Sequence, residues 1–181
     1  MTVLKNLAGI LGVAIGSLTL FLLYYEVHDF RPYAPRIQEI YLNMDPLDRN
    51  PPANVQDFVW KVDGSHLNAF ASRSLLSELR SPTKMAAWHY HSLMWDLMLE
   101  WHFGKKERVA LYCHYLPYER GRGFASAARY YFGKSADALS MDELAAIVAI
   151  GRSPSYNSPS QHPDHLDEAK RRLLSAYEGS K

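Results

Sequence analysis

Residues 123–151, GFASAARYYFGKSADALSMDELAAIVAIG, decide the fold. Ser140 and Glu143 stand three positions apart just ahead of an apolar run, the pattern of a capping box in which each side chain bonds the other residue's backbone amide. From Leu144 to Ile150 no residue is polar, so the helix they start leaves no face for water and belongs inside a core. Gly151 is well placed as its C-terminal cap. Just upstream, Phe124–Phe132 is an Ala-rich aromatic segment closed by Gly133, a second helix.

The rest of the text is helical outward from this pair. Arg152–Pro163 is a Pro- and Ser-rich loop, and Leu166, Ala169, Leu173 and Tyr177 mark a last amphipathic helix. Toward the N-terminus, Arg120-Gly121-Arg122-Gly123 reads as a flexible, positively charged turn. Lys106–Tyr115 is a helix stopped before Pro117. Ser81-Pro82 is an N-cap with Pro at the first helical position, opening a long helix toward Phe103 that carries Tyr90, Met94, Leu97 and Trp101 on one face, with Gly104 to end it. Asn54–Lys61 and Leu67–Leu79 are shorter helices, and alternating β-branched runs are few. Pro32, Pro35, Pro46, Pro51 and Pro52 interrupt helices ahead of these and suggest an extended stalk.

At the start of the chain, Leu7–Tyr25 is a run of 19 residues without a charge. As a helix it would be roughly 28 Å long, the thickness of a bilayer hydrocarbon core. The run exceeds a signal-peptide h-region, no A-x-A site follows, and Tyr24-Tyr25 suit a membrane interface. An uncleaved single-pass anchor is the reading, with a cleaved signal or a core helix as alternatives. Lys5 on one side against Arg31 and Arg36 on the other leaves topology open. The expected organisation is thus an anchor over 1–25, a Pro-rich stalk over 26–52 and an all-α domain over 53–181.

Composition excludes several classes. The 181 residues carry 20 basic and 19 acidic side chains, which gives no electrostatic footprint for nucleic acid. One cysteine, Cys113, rules out an internal disulfide and metal–cysteine clusters, and reads as a buried inert thiol. His89 and His91 point to different sides of a helix and His162 and His165 lack nearby Cys ligands, so no metal or other cofactor is expected.

Gly123–Lys134, Ala138–Ala145 and Arg152–Pro159, in this order and spacing, resemble the second half of the family-51 peptidoglycan glycosyltransferase domain, the lysozyme-like helical module that polymerises lipid II. The shared features are a Gly, an Ala-rich helix, Tyr131-Phe132-Gly133-Lys134, a capped helix, and a Pro-flanked loop with Tyr156-Asn157. Glu100, Lys105 and Tyr112-Cys113-His114 continue the likeness more thinly, with Cys and His where the family has Leu and Asn. Pro51-Pro52 and Phe58–Asp63 are similar to its entry segment, whose Glu is the catalytic base. Here that position is Val62, which cannot accept a proton from the attacking sugar hydroxyl. The family's second Glu falls at Ser92, with Trp88 and His89 in place of an Arg-Lys pair that would hold diphosphate. Only about 17 residues, Asp63 to Arg80, stand where the family has a mobile jaw.

Asp63 is the acid best placed to replace the lost base, a turn or cap aspartate being the structural alternative; Glu78, Glu100 and Glu119 are the other acids available. Arg120, Arg122, Arg129 and Lys134 surround the Gly-rich turn and are candidates to grip a diphosphate, with a solvated face as the other reading. Trp88, Trp95, Trp101, Tyr130, Tyr131 and Phe132 read as packing residues before sugar platforms. The resemblance implies a bacterial inner-membrane protein, single-pass, with its C-terminal domain in the periplasm. Three functions follow: a non-catalytic scaffold, regulator or binder of a lipid-linked disaccharide within a cell-envelope complex; an active glycosyltransferase with a rebuilt carboxylate site; or a membrane interaction module unrelated to the wall.

Overall fold

The computed structural model describes residues 2–64, 66–80 and 84–180, with side chains from residue 9 onward. It divides into two compact units, 1–38 and 39–181.

The first unit opens with α1 (Thr2–Tyr25), an unbroken helix as its freedom from Pro predicts. Among the described residues one continuous helical stretch, Gly9–Asn43, which begins within α1, is long and apolar enough to cross a membrane. The stretch expected to be extended is helical instead: a π-turn over Glu26–Phe30, a 3-10 turn over Arg31–Tyr33, α2 (Ala34–Asn43) and, in the second unit, α3 (Pro46–Arg49). Pro32, Pro35 and Pro46 all sit in the first turn of their element, where the missing N–H has no intrahelical partner to lose.

In the second unit α4 (Ala53–Asp63), α5 (Leu67–Leu79), α6 (Met85–His102), α7 (Lys105–Tyr115), α8 (Phe124–Phe132), α9 (Met141–Arg152) and α10 (Pro163–Gly179) follow in turn. The Ser81-Pro82 cap lies outside the described residues. On α6 the buried face is Ser92, Met94, Trp95, Met98 and Leu99, while Tyr90, Leu97 and Trp101 of the expected stripe face outward.

The fold centres on α9. Its capping box forms as written, the Glu143 amide donating to Ser140 Oγ and the Ser140 amide to Glu143 Oε2 at 2.8 Å. Leu144 to Gly151 are all buried, packed with Phe58, Val59, Val109, Leu116, Phe124, Leu166 and Leu173 of the surrounding helices. Gly151 does not end the helix, which continues to Arg152. A Cβ there would collide with the Leu116 side chain, so the glycine serves close packing. Gly133 does cap α8, with φ +64°.

The charged turn expected at Arg120–Gly123 is a hairpin: β1 (Pro117–Tyr118) pairs antiparallel with β2 (Gly121–Arg122), joined by Glu119-Arg120. Gly123 follows at φ +110°, its amide bonded to the Leu116 carbonyl, and a side chain there would press on Asp48.

A buried aspartate on a basic-walled cavity

A cavity of about 800 Å³ opens between α4, α5, α7 and α9. One face of α5 supplies Ala69, Phe70, Arg73, Ser74 and Ser77, positions three and four apart that helical geometry aligns. Val62 and Asp63 come from the end of α4, Tyr112 and Leu116 from α7, Gly151 and Arg152 from α9.

Asp63 is the acid of this lining and is buried. Tyr112 Oη donates to its Oδ2 at 2.5 Å, and Arg152 donates to Oδ1 at 2.8 Å and Oδ2 at 3.3 Å. A second hydrogen of the same guanidinium reaches the Val62 carbonyl at 2.9 Å. Burial, and then the Asp63 charge, push the Tyr112 phenol well above its usual range, so it stays a donor. The carboxylate is therefore held on both oxygens by fixed protein donors, with valine beside it where a second acid would be needed for paired acid–base work.

Ser92 lies on the buried face of α6, its hydroxyl without a hydrogen-bond partner among the described residues, and it is not part of the cavity wall. Arg73, by contrast, lines the cavity, is exposed and forms no ion pair among the described residues.

None of the four cations expected to surround the Gly-rich turn lines this cavity, and each has its own partner. Arg122 pairs with Glu78 at 2.7 Å and lies over the Tyr115 ring, and Arg129 pairs with Asp45 at 2.7 Å. Lys134 pairs with Glu143 at 2.6 Å, and Arg120 stacks on Tyr130. Burial opposes the Glu78 charge, but the Arg122 guanidinium outweighs it and holds the carboxyl below its usual range. Glu100 is exposed with Arg108 at 3.9 Å, and Glu119 accepts from Ser158 Oγ at 2.7 Å. Among the described residues no three His, Cys, Asp or Glu side chains are grouped to hold a metal.

Asp48, which sequence reading left in the stalk, is a structural centre. It is buried, accepts from the Ala125 amide at 2.8 Å, and stands at the N-terminus of α8, where a helix favours negative charge. Spacing gives no hint of it, because 77 residues separate the partners. Arg152 and Tyr112 were visible in the motifs but not as holders of Asp63; only the packing of α9 on α4 and α7 brings them there.

The sequence matches the family described as Transglycosylase over residues 59–178, two thirds of the chain. The chain belongs to the transglycosylase family. Penicillin-binding protein 4 of Bacillus subtilis is 31% identical over 124 residues, 67% of this chain and 19% of that protein. Penicillin-binding protein 1C of Escherichia coli is 33% identical over 79 residues, 43% of this chain and 10% of that protein. A putative transglycosylase of Cupriavidus necator is 40% identical over 60 residues, 33% of this chain and 26% of that protein. The matched part thus spans a tenth to about a quarter of these relatives. The all-α, lysozyme-like class expected for this transglycosylase domain stands, with the two-residue strands its only sheet among the described residues.

Proposed function

We propose that this transglycosylase-family domain binds a lipid-linked glycan or its diphosphate without polymerising it, as a regulator or scaffold in cell-envelope assembly. The observation that carries the reading is the state of Asp63: both oxygens are occupied by Tyr112 and Arg152, and Val62 stands next to it. Three donor bonds, one from Tyr112 and two from Arg152, leave one of the four acceptor positions of this buried carboxylate for the sugar proton that a general base must take. In this reading Arg73 is the cation a diphosphate meets first in the cavity. Arg120, Arg122, Arg129 and Lys134 would contact it only by leaving their present partners. The apolar α1 serves as the anchor, in an inner membrane with the second unit on the periplasmic side, as penicillin-binding relatives suggest by analogy.

The test is incubation of the full chain in detergent with fluorescent lipid II beside an active polymerase. No glycan chains and saturable binding, weakened about tenfold by Arg73→Ala, are expected for loss of one charge-assisted contact. Absence of binding overturns the proposal. A second reading, glycosyl transfer with Asp63 as the rebuilt base, is favoured by its position on the cavity wall. Polymer formed by the wild type and abolished by Asp63→Asn would establish it instead.

A further inference from the structure

A smaller pocket, of about 220 Å³, lies between the end of α9, the loop after it and α10. Its polar lining is Arg152, Tyr156, Asn157, His165, Glu168 and Arg172. Asn157 is only 6% exposed. Its Nδ2 donates to the Ala149 carbonyl at 2.6 Å, while its Oδ1 is buried with no hydrogen-bond partner among the described residues. Turning the amide over would set two carbonyl oxygens against each other at Ala149, so the acceptor stays on the pocket side of the balance and calls for an N–H or O–H donor. The walls are held in shape: the Tyr156 ring stacks on His165 with centroids 4.2 Å apart, which fastens the loop to α10.

We propose that this pocket binds a small zwitterion, a free amino acid or a dipeptide with both ends unblocked. Its walls carry both signs of charge. Arg172 pairs with Glu168 one turn earlier on α10, and both are exposed. Arg152 spends Nε and Nη2 on Asp63 and the Val62 carbonyl, and the two hydrogens of its Nη1 have no acceptor among the described residues. A ligand carboxylate is thus served by guanidinium groups, and a ligand ammonium or amide N–H by Asn157 Oδ1 and Glu168. Arg152 and Arg172 stand against Asp63 and Glu168, two of each sign, so a ligand of zero net charge keeps the balance, whereas phosphate would add negative charge beside Glu168. Size sets the length of the ligand. About 220 Å³ is the share of roughly seven waters at about 30 Å³ each, below the ~300–1,000 Å³ of pockets for drug-sized molecules, and suits one or two small residues.

The inference is independent of glycan binding, since of the residues that line this pocket only Arg152 also lines the large cavity.

The test titrates the full chain in detergent micelles with glycylalanine, binding being read by saturation-transfer NMR on the dipeptide. Saturable binding is expected, and it should weaken about tenfold for glycylalanine amide, for acetylglycylalanine and in Arg172→Ala, each of which removes one charged contact. Arg172→Lys should recover part of the loss, and Arg171→Ala, whose side chain lies outside the pocket, should leave binding unchanged. Absence of saturable binding overturns the inference and leaves the pocket to water. Equal affinity for either blocked dipeptide, or inorganic phosphate binding as tightly as glycylalanine, overturns the zwitterion class. Binding that Arg172→Ala leaves intact places the ligand elsewhere and overturns the site. Lipid II binding without glycylalanine binding rejects this inference while the proposed function stands, and the reverse result supports this inference alone.

Discussion

Asp48 Oδ1 accepts the backbone N–H of Ala125 at 2.8 Å across 77 residues of sequence, and this bond fastens α3 to the start of α8. Burial lifts the Asp48 carboxyl to about 7, against the pull of the Ala125 amide, and Asp45, Arg129 and Cys113 are the other ionisable groups around it. An unfolded aspartate titrates near 3.9, so between about pH 4 and pH 7 the folded chain holds a proton that the unfolded chain has released. This contribution to stability is full below about pH 4 and is lost as pH rises to about 7, by about 1 kcal/mol per pH unit at its steepest. Urea unfolding from pH 4.5 to 7 is expected to show wild type losing stability relative to Asp48→Asn; parallel curves would reject the assignment.

Arg152 and Asp63 form an ion pair with one partner buried and the other half in solvent. Arg152→Ala leaves the carboxylate with Tyr112 as its remaining side-chain donor and is expected to cost about 1–3 kcal/mol, below the value for a fully buried pair because solvent already screens the guanidinium. Tyr112→Phe removes one hydrogen bond to a charged group and should cost about 1–2 kcal/mol. Denaturant titration of both single variants and the double variant should give non-additive losses, since they share Asp63. Simple additivity would mean the triad is not a unit.

Gly151 and Leu116 test why α9 runs on past its glycine. In a free helix Gly→Ala stabilises by about 1 kcal/mol. Here the new methyl meets the fully buried Leu116 side chain, and overpacking of this kind costs about 1–3 kcal/mol, so Gly151→Ala is expected to lower the melting temperature. Adding Leu116→Ala should recover part of the loss through the volume it frees. A single variant more stable than wild type would contradict the packing account.

How far the text could be read depended on the range of the interaction. The boundaries of α5 and α8 and the capping box of α9 follow from residues within four positions of each other, and they stand as read. Gly151 misled because a glycine after an apolar run has two uses, and only the approach of Leu116 tells them apart. Pro32, Pro35 and Pro46 misled in the opposite way, since a proline forbids a helix interior but suits a first turn, whereas Pro51 and Pro52 do lie between helices. At the site, Asp63 was visible as an acid next to Val62, whereas its two donors come from α7 and α9, 49 and 89 residues away.

By itself, then, the sequence determined that the chain is helical, that an uncharged segment precedes a charge-balanced domain, and that this domain carries the transglycosylase motifs. These rest on local periodicity, capping and spacing, which act over one or two helical turns. Tertiary structure alone decided that Asp63 is held by Arg152 and Tyr112, that Asp48 fastens α8, that the expected cations are individually paired, and that the apolar face of α6 points outward. Each of these sets a charge or an apolar group against an environment supplied by distant segments, and burial and pairing exist only once those segments have packed.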